Sequence, residues 1–328
     1  MLKGDSVAVY NLVGELRVEP GTGSDVAVQV TRGGADAARL DVQSGPLRGR
    51  ETLRVIYPED VISLPDWGGG RGWNTTLRVR DDGTFGDGGN WRREGREVRI
   101  TGRGRGMEAY ADLRVSVPAG RRVVLHLGVG KAFVSNVDGV IVVDVSSADV
   151  SAERTRGTLK IDAGSGNVDV RDASGEVTLE SGSGDVTATG LHGGTERVRV
   201  ETGSGNITVT GAEAGELHVG TGSGDITVTG AKANELSFET GSGNVDVALT
   251  ATFSTLSIET GSGDVTLRVP PTIGAEVELD TGSGEFDLGG LTIQVRRLEE
   301  DHITGTIGDG KGRLSVETGS GNVRLVKS

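Results

Sequence analysis

One five-residue phrase constrains this chain more than any other feature: Thr202-Gly203-Ser204-Gly205-Asn206 returns as Thr221-Gly222-Ser223-Gly224-Asp225, Thr240-Gly241-Ser242-Gly243-Asn244 and Thr260-Gly261-Ser262-Gly263-Asp264. Close variants begin at Ala163, Ser181, Thr281 and Thr318, and a worn copy, Ser146-Ser147-Ala148-Asp149, lies one period upstream of Gly164. From Gly164 through Gly182, Gly203, Gly222, Gly241 and Gly261 to Gly282 the spacing is 18 to 21 residues; the last gap, Gly282 to Gly319, is 37. Self-similarity at such a period marks a repeat architecture.

Strict alternation flanks each phrase. Val198 and Val200 precede the third copy and Ile207 and Val209 follow it; the same columns continue as Leu217, Val219, Ile226, Val228, as Leu236, Phe238, Val245, Val247, as Leu256, Ile258, Val265, Leu267, and as Val277, Leu279, Phe286, Leu288. A period of two predicts two short strands per repeat and no helix. Two such strands cannot bury their apolar face alone, but repeats stacked ~4.8 Å apart enclose a continuous aliphatic strip. The expected fold is therefore all-β, a β-solenoid of stacked two-strand coils of about 18–21 residues. The long final gap predicts an irregular coil at about 289–313 that has lost its phrase.

Glycine at a corner is expected to supply left-handed or strained backbone, and Asn or Asp to close the turn by bonding neighbouring backbone. The last position runs Asn167, Asp185, Asn206, Asp225, Asn244, Asp264, with Asn322 in the final copy. Interleaved amides double the distance between charges, which argues against a calcium column, as does a period twice that of calcium-binding β-rolls. A second acidic column, Asp162, Glu180, Glu201, Glu239, Glu259, Asp280 and Glu317, broken by Gly220, reads as a solvated outer face ahead of a weak divalent-cation strip. The outward threonines Thr187, Thr189, Thr208, Thr210, Thr227 and Thr229 suit exposed strands, and Asp246 and Arg268 break the array. No corner opens a helix, so none is a phosphate loop.

Residues 1–120 read as a less regular β region of diverged coils, and residues 121–328 as the regular repeats. Leu16-Arg17-Val18 followed by Gly21-Thr22-Gly23-Ser24-Asp25-Val26 already has the form of strand, corner and strand. Leu53-Arg54-Val55, Leu77-Arg78-Val79, Val98-Arg99-Ile100 and Leu113-Arg114-Val115 continue the alternation. Between about residues 66 and 91 lie all three tryptophans and runs of glycine, a composition expected of an exposed loop. Trp67, Trp73 and Trp91 are the candidate binding residues, since exposed aromatics supply contact energy and stack on sugars.

Several functions are excluded by composition. A net charge of −13 opposes nucleic acid and anionic lipid. The absence of cysteine removes disulfides and thiolate metal sites. No stretch approaches the ~18 apolar residues of a membrane-inserting span, and no signal peptide opens the numbered chain. His126, His192, His218 and His302 show no ligand or triad spacing and are expected on surface strands or loops. No catalytic residue, cofactor or metal site is assigned.

The corner phrase, the coil length, the valine-rich strands and the first strand Ser6-Val7-Ala8-Val9-Tyr10 together resemble the bacterial "putative adhesin" family of β-strand-repeat proteins. The resemblance is strongest from Val123 to Val326, where Ser183-Gly184-Asp185-Val186 and its copies match the family's repeated motif. It implies a non-enzymatic, glycine-rich structural or adhesin-like protein, secreted or held at the cell envelope after loss of a signal peptide. The expected partners are a surface glycan or protein. Two other readings stand beside it: a filament subunit self-associating through exposed strand edges, to which the C-terminal strand Asn322–Val326 offers itself, and a carbohydrate-binding or carbohydrate-active β-helix.

Overall fold

The computed structural model describes residues 1–64, 73–86 and 95–328, and these are almost entirely β-strand. Among the described residues the single helical element is a 3-10 turn at Ala37–Arg39, and no helix is long and apolar enough to cross a membrane. The chain forms two compact units, Met1–Gly166 and Asn167–Ser328.

The first unit contains β1 (Ser6–Pro20), β2 (Ala27–Gly33), β3 (Asp41–Leu47), β4 (Arg50–Ile56), β5 (Val61–Ser63), β6 (Asn74–Val79), β7 (Arg96–Thr101), β8 (Tyr110–Val117), β9 (Arg121–Ser135) and β10 (Asp138–Ser165). Strands β1, β9 and the opening stretch of β10 are parallel and in register, with Val7 beside Val123 and Val123 beside Ile141. On its other side β1 is shared: β4 pairs with its first half and β8 with its second, both parallel. Each then takes an antiparallel neighbour, β3 and β2 respectively. The phrase Gly21–Val26 thus leads into an antiparallel strand and is not a repeat corner.

A separate three-stranded sheet of order β5-β7-β6 arises from the segment between β4 and β8. It explains why β1 is buried on both faces from Val7 to Gly14. Leu77 of β6 fills the space over Gly128 of β9, where a Cβ would stand 2.7 Å from its methyl carbon. Phe85 lies edge-on to Tyr10 and His126, with ring centroids 6.0 and 6.2 Å away, and Tyr10 stacks on His126 at 4.3 Å. His126, expected on the surface, is 4% exposed and bonded through Nδ1 to Asp144 at 3.1 Å. The stretch expected as exposed loop likewise holds a strand and a buried phenylalanine.

The second unit contains β11 (Val168–Ser181), β12 (Val186–His192), β13 (Arg197–Thr202), β14 (Ile207–Thr221), β15 (Ile226–Thr240), β16 (Val245–Leu249), β17 (Thr255–Thr260), β18 (Val265–Val269), β19 (Ala275–Thr281), β20 (Phe286–Asp287), β21 (Ile293–Leu298), β22 (His302–Ile307), β23 (Gly312–Thr318) and β24 (Val323–Lys327). Equivalent residues of successive repeats pair in parallel, Ile207 with Ile226 and Thr221 with Thr240. The alternating columns point inward as expected: Val198, Leu217, Ile226, Val247, Ile258 and Leu267 are all 0 to 1% exposed. Phe286 and Leu288 are only half-buried, because β20 is an edge with one neighbour.

Repeats do not stack in chain order at the end of this unit. Strand β23 lies between β17 and β19, and β24 lies between β18 and β20. The C-terminal strand is internal, not the free edge anticipated for it. The far side of β19 is covered by β22, antiparallel, and β22 by β21. Residues 289–313 therefore hold a hairpin in place of the expected coil. Its outer strand β21 carries Arg296 and Arg297 and a register shift between Val295 and Arg297, features that blunt an edge against further pairing.

The corner glycines have a different physical reason from the one expected. Gly203, Gly222, Gly241 and Gly261 lie outside the left-handed region, yet a Cβ on any of them would stand 2.3 Å from the carbonyl oxygen of the corner glycine in the neighbouring repeat. The second glycine is tighter still, 1.9 Å for Gly224 against Gly205 and 1.8 Å for Gly243 against Gly224. Gly282 and Gly319 follow the same rule, Gly282 against Gly319 and Gly319 against Gly261. Gly164 stands likewise against Ser146. Left-handed backbone occurs at the opposite corner, at Asp172 (φ 54), Gly190 (φ 67), Gly211 (φ 68) and Gly230 (φ 76).

The buried threonine stitches one corner to the next. Thr221 donates its hydroxyl to Gly205 O at 2.9 Å and accepts the N–H of Gly224 at 3.2 Å; Thr202, Thr240, Thr260, Thr281 and Thr318 repeat the pattern. The Asn or Asp closes no turn of its own. Its Oδ1 accepts the N–H of its counterpart one repeat on, in the order Asn167, Asp185, Asn206, Asp225, Asn244, Asp264, Asn322, Glu285, at 2.7 to 3.0 Å.

Gly224→Ala must force neighbouring repeats apart and is expected to cost at least about 3 kcal/mol, whereas Gly211→Ala has room for its methyl and only a left-handed residue to strain, about 1–2 kcal/mol. Urea unfolding of the two variants checks the order; equal losses would restore turn geometry as the reason for the corner glycine.

Candidate functional site

The same corner column is present in the first unit, written in different residues. Gly14, Gly130 and Ala148 are in register across β1, β9 and β10, and the residues after them, Glu15, Lys131 and Asp149, occupy the position of the Asn and Asp ladder. Asp112 of β8 stands next to Glu15, and its Oδ1 accepts the Glu15 N–H at 2.8 Å, the bond that links the ladder elsewhere. Lys131 separates Glu15 from Asp149 as asparagine separates aspartates in the second unit. Asp112 and Glu15 are the one adjacent pair of carboxylates among the described residues of these columns.

Carboxylates side by side on parallel strands repel, and burial adds to the effect here. Desolvation pushes the Asp112 carboxyl above its ordinary value, the Glu15 charge reinforces it, and the Glu15 N–H and Arg17 pull the other way. Arg17 pairs with Glu15 and lies 4.7 Å over the Phe133 ring.

Two aromatics overhang this break in the pattern, each seated on a glycine. Tyr110 pairs across β2–β8 with Gly33, and its ring occupies the space where a Cβ would be. Trp73, at the start of β6, lies against Gly102 in the same way. The half-buried Trp73 has an Nε1 with no hydrogen-bond partner among the described residues. Together with Asn74, Thr75, Ser147 and the charged residues, they line an open groove of 680 Å³. That volume suits a small ligand or a sugar or two, and aromatic walls with a few convergent polar groups are the usual form of such a site.

Of the tryptophans singled out in the sequence, Trp73 lines the groove; Trp67 and Trp91 lie outside the described residues. Glu15, Asp112 and Lys131 were not singled out, and Asp149 only as the end of a worn corner copy. Their signal was the pairs Gly14-Glu15, Gly130-Lys131 and Ala148-Asp149, each echoing the end of the corner phrase. Of the other histidines, His192 is exposed and the half-buried His218 meets Glu201 at 2.9 Å.

Because folding raises the Asp112 pKa, the charged carboxylate opposes folding above its unfolded value near 3.9, and the opposition vanishes once both states are protonated. Asp112→Asn keeps an oxygen to accept the Glu15 N–H. It is expected to raise Tm by roughly 1–3 °C at pH 7 and to leave it unchanged below about pH 3. Thermal unfolding at the two pH values checks this; a loss of stability at pH 7 would contradict it.

Residues 104–326 match the family described as Toastrack DUF4097. Among solved structures the chain is similar to one described as a putative cell adhesion protein from Clostridium sporogenes, with 10% identity, a TM-score of 0.20, and 98% of this chain and 92% of that one covered. No curated protein matches the chain. With more than half of its length matched, the chain belongs to the Toastrack DUF4097 family.

Proposed function

We propose that this chain is a non-enzymatic, adhesin-like protein of the bacterial cell surface or extracellular space, whose two-strand β-solenoid is a rigid support for glycan capture in the groove of the first unit. The observation that carries the reading is the place where the corner column abandons its charge alternation, Asp112 beside Glu15, beneath Trp73 and Tyr110. A cost retained at one point of an otherwise regular pattern marks a functional position. Aromatic faces stack on pyranose rings, and the carboxylates accept hydroxyl or ammonium hydrogens. With Glu15, Asp112 and Asp149 against Lys131, the groove favours neutral or amino-sugar glycans over acidic ones.

The filament reading takes the C-terminal strand as one of its candidate edges, and that strand is internal. The bulged, arginine-bearing β21 does not replace it as a template.

Calorimetry of the purified protein against neutral, amino-sugar and uronic-acid oligosaccharides tests the proposal. Binding of the first two classes is expected, weakened roughly tenfold by Trp73→Ala. Binding unaffected by that change, or confined to acidic sugars, would overturn the groove assignment. Release of shorter products would overturn the non-enzymatic reading, and long fibres in electron micrographs would favour assembly.

A further inference from the structure

We propose that Glu278, Asp280 and His302, in the second unit, bind one divalent metal ion of the zinc class and so fasten the capping hairpin to the repeats. Strands β19 and β22 are antiparallel, with Asp280 directly opposite His302 and Glu278 opposite Thr304. Alternation puts Glu278 and Asp280 on one face of β19, and the pairing brings the imidazole to that face. One ligand atom from each of the three residues lies within 4.8 Å of the other two. Ligand atoms on one tetrahedral zinc at about 2.0–2.2 Å stand about 3.3–3.6 Å apart. A contraction of about 1–1.5 Å at the longest separation closes a tetrahedral site, and rotation of the exposed Glu278 side chain supplies it.

Three neighbouring cations are engaged elsewhere, while Arg313 of β23 stands beside Glu276 in the register. Arg296 pairs with Glu276, Arg297 with Glu299, and Lys311 with Asp309. His302 itself is bonded through Nδ1 to Asp280. Beyond Asp280 the register runs through Glu317, Glu259 and Glu239, four carboxylates on successive strands with no amide between them. This is the arrangement that the corner column of the same unit avoids by interleaving asparagine. Like charges directly opposite each other destabilise a sheet, and a bound cation at the end of the row relieves the repulsion between Asp280 and Glu317.

The imidazole decides which cation. Oxygen-only sets suit calcium and magnesium, whereas one histidine with two carboxylates is the donor set of zinc and its neighbours, with a fourth position left for water. The histidine reaches the row only because residues 289–313 form a hairpin and not a coil. The metal would join β22, which comes from that hairpin, to β19, which belongs to the repeats.

Isothermal titration of untagged protein with Zn²⁺, and separately with Ca²⁺, tests the proposal, with thermal unfolding alongside. One equivalent of Zn²⁺ is expected to bind and raise Tm, with Ca²⁺ far weaker. His302→Ala is expected to weaken zinc by a factor on the order of ten to a hundred, and Glu278→Gln, at an exposed position that leaves the fold intact, to weaken it as well. Absence of Zn²⁺ binding up to about 1 mM overturns the proposal. So does zinc affinity unchanged in both variants, or calcium binding of equal strength that survives His302→Ala, which would assign the ion to the carboxylate row alone. Circular dichroism identifies a variant that fails to fold, in which case Glu278→Gln decides.

Discussion

Backbone meeting backbone at the corners is the constraint from which the rest of the second unit follows. Carbonyl oxygens of one repeat sit where a methyl group of the next would have to be, so both glycines of the phrase are fixed by contact distance. Such closeness buries peptide groups away from water, and a buried donor or acceptor left unpaired costs about 1–3 kcal/mol. The threonine hydroxyl answers this by serving two repeats at once, and the Asn or Asp oxygen answers it for one more N–H. Three of the five residues in the phrase are thus set by one approach of chain to chain, and the fourth, Asn or Asp, by the amide that approach exposes. A core of valine, leucine and isoleucine then needs no large side chain, because the corners already hold the spacing.

Charge along the same column obeys a second rule with the same origin. Ladder oxygens must lie within hydrogen-bond reach of the next repeat, which places neighbouring side chains about 5 Å apart. Carboxylates can occupy alternate positions only, with asparagine between them in the second unit and Lys131 between Glu15 and Asp149 in the first. The rule accounts for an oddity of order: in the chain, the acidic Glu285 follows Asp264 without an intervening amide, but in space Asn322 lies between them. Where the rule lapses, at Asp112 with Glu15, a groove walled by aromatics stands over the lapse.

Much of this was legible in the sequence. The period and the inward columns follow from alternation and recurrence, and the structure pairs equivalent positions accordingly, though β14 and β15 each run unbroken where two short strands are expected. The role of the phrase was not legible, because a glycine kept for left-handed geometry and one kept for lack of space are the same letter. Nor could alternation show that His126 is buried: Val123–Val129 reads as a half-exposed strand, and its outer face is covered by residues some forty to fifty positions earlier in the chain. The missing repeat was inferred from a gap of about two periods, a length that a hairpin fills equally well. In the groove, Trp73 was visible by its rarity. Glu15 and Lys131 were hidden because their corner had lost the serine and threonine that make the phrase recognisable.

The interposed final repeat sets an order of assembly. A stack built from neighbours in the chain can grow as the chain emerges, each repeat docking on the one before. Here β19 and β20 have no direct place beside β17 and β18 until β23 and β24 have arrived, some fifty-eight residues after their partners. Closing so long a loop is entropically slow compared with adding an adjacent repeat. The stretch from Ala275 to Lys327 must therefore settle as one cooperative block, with β23 and β24 completing the seat for β19 and β20. In the second unit, order along the chain and order in the stack agree up to Val269 and part company beyond it.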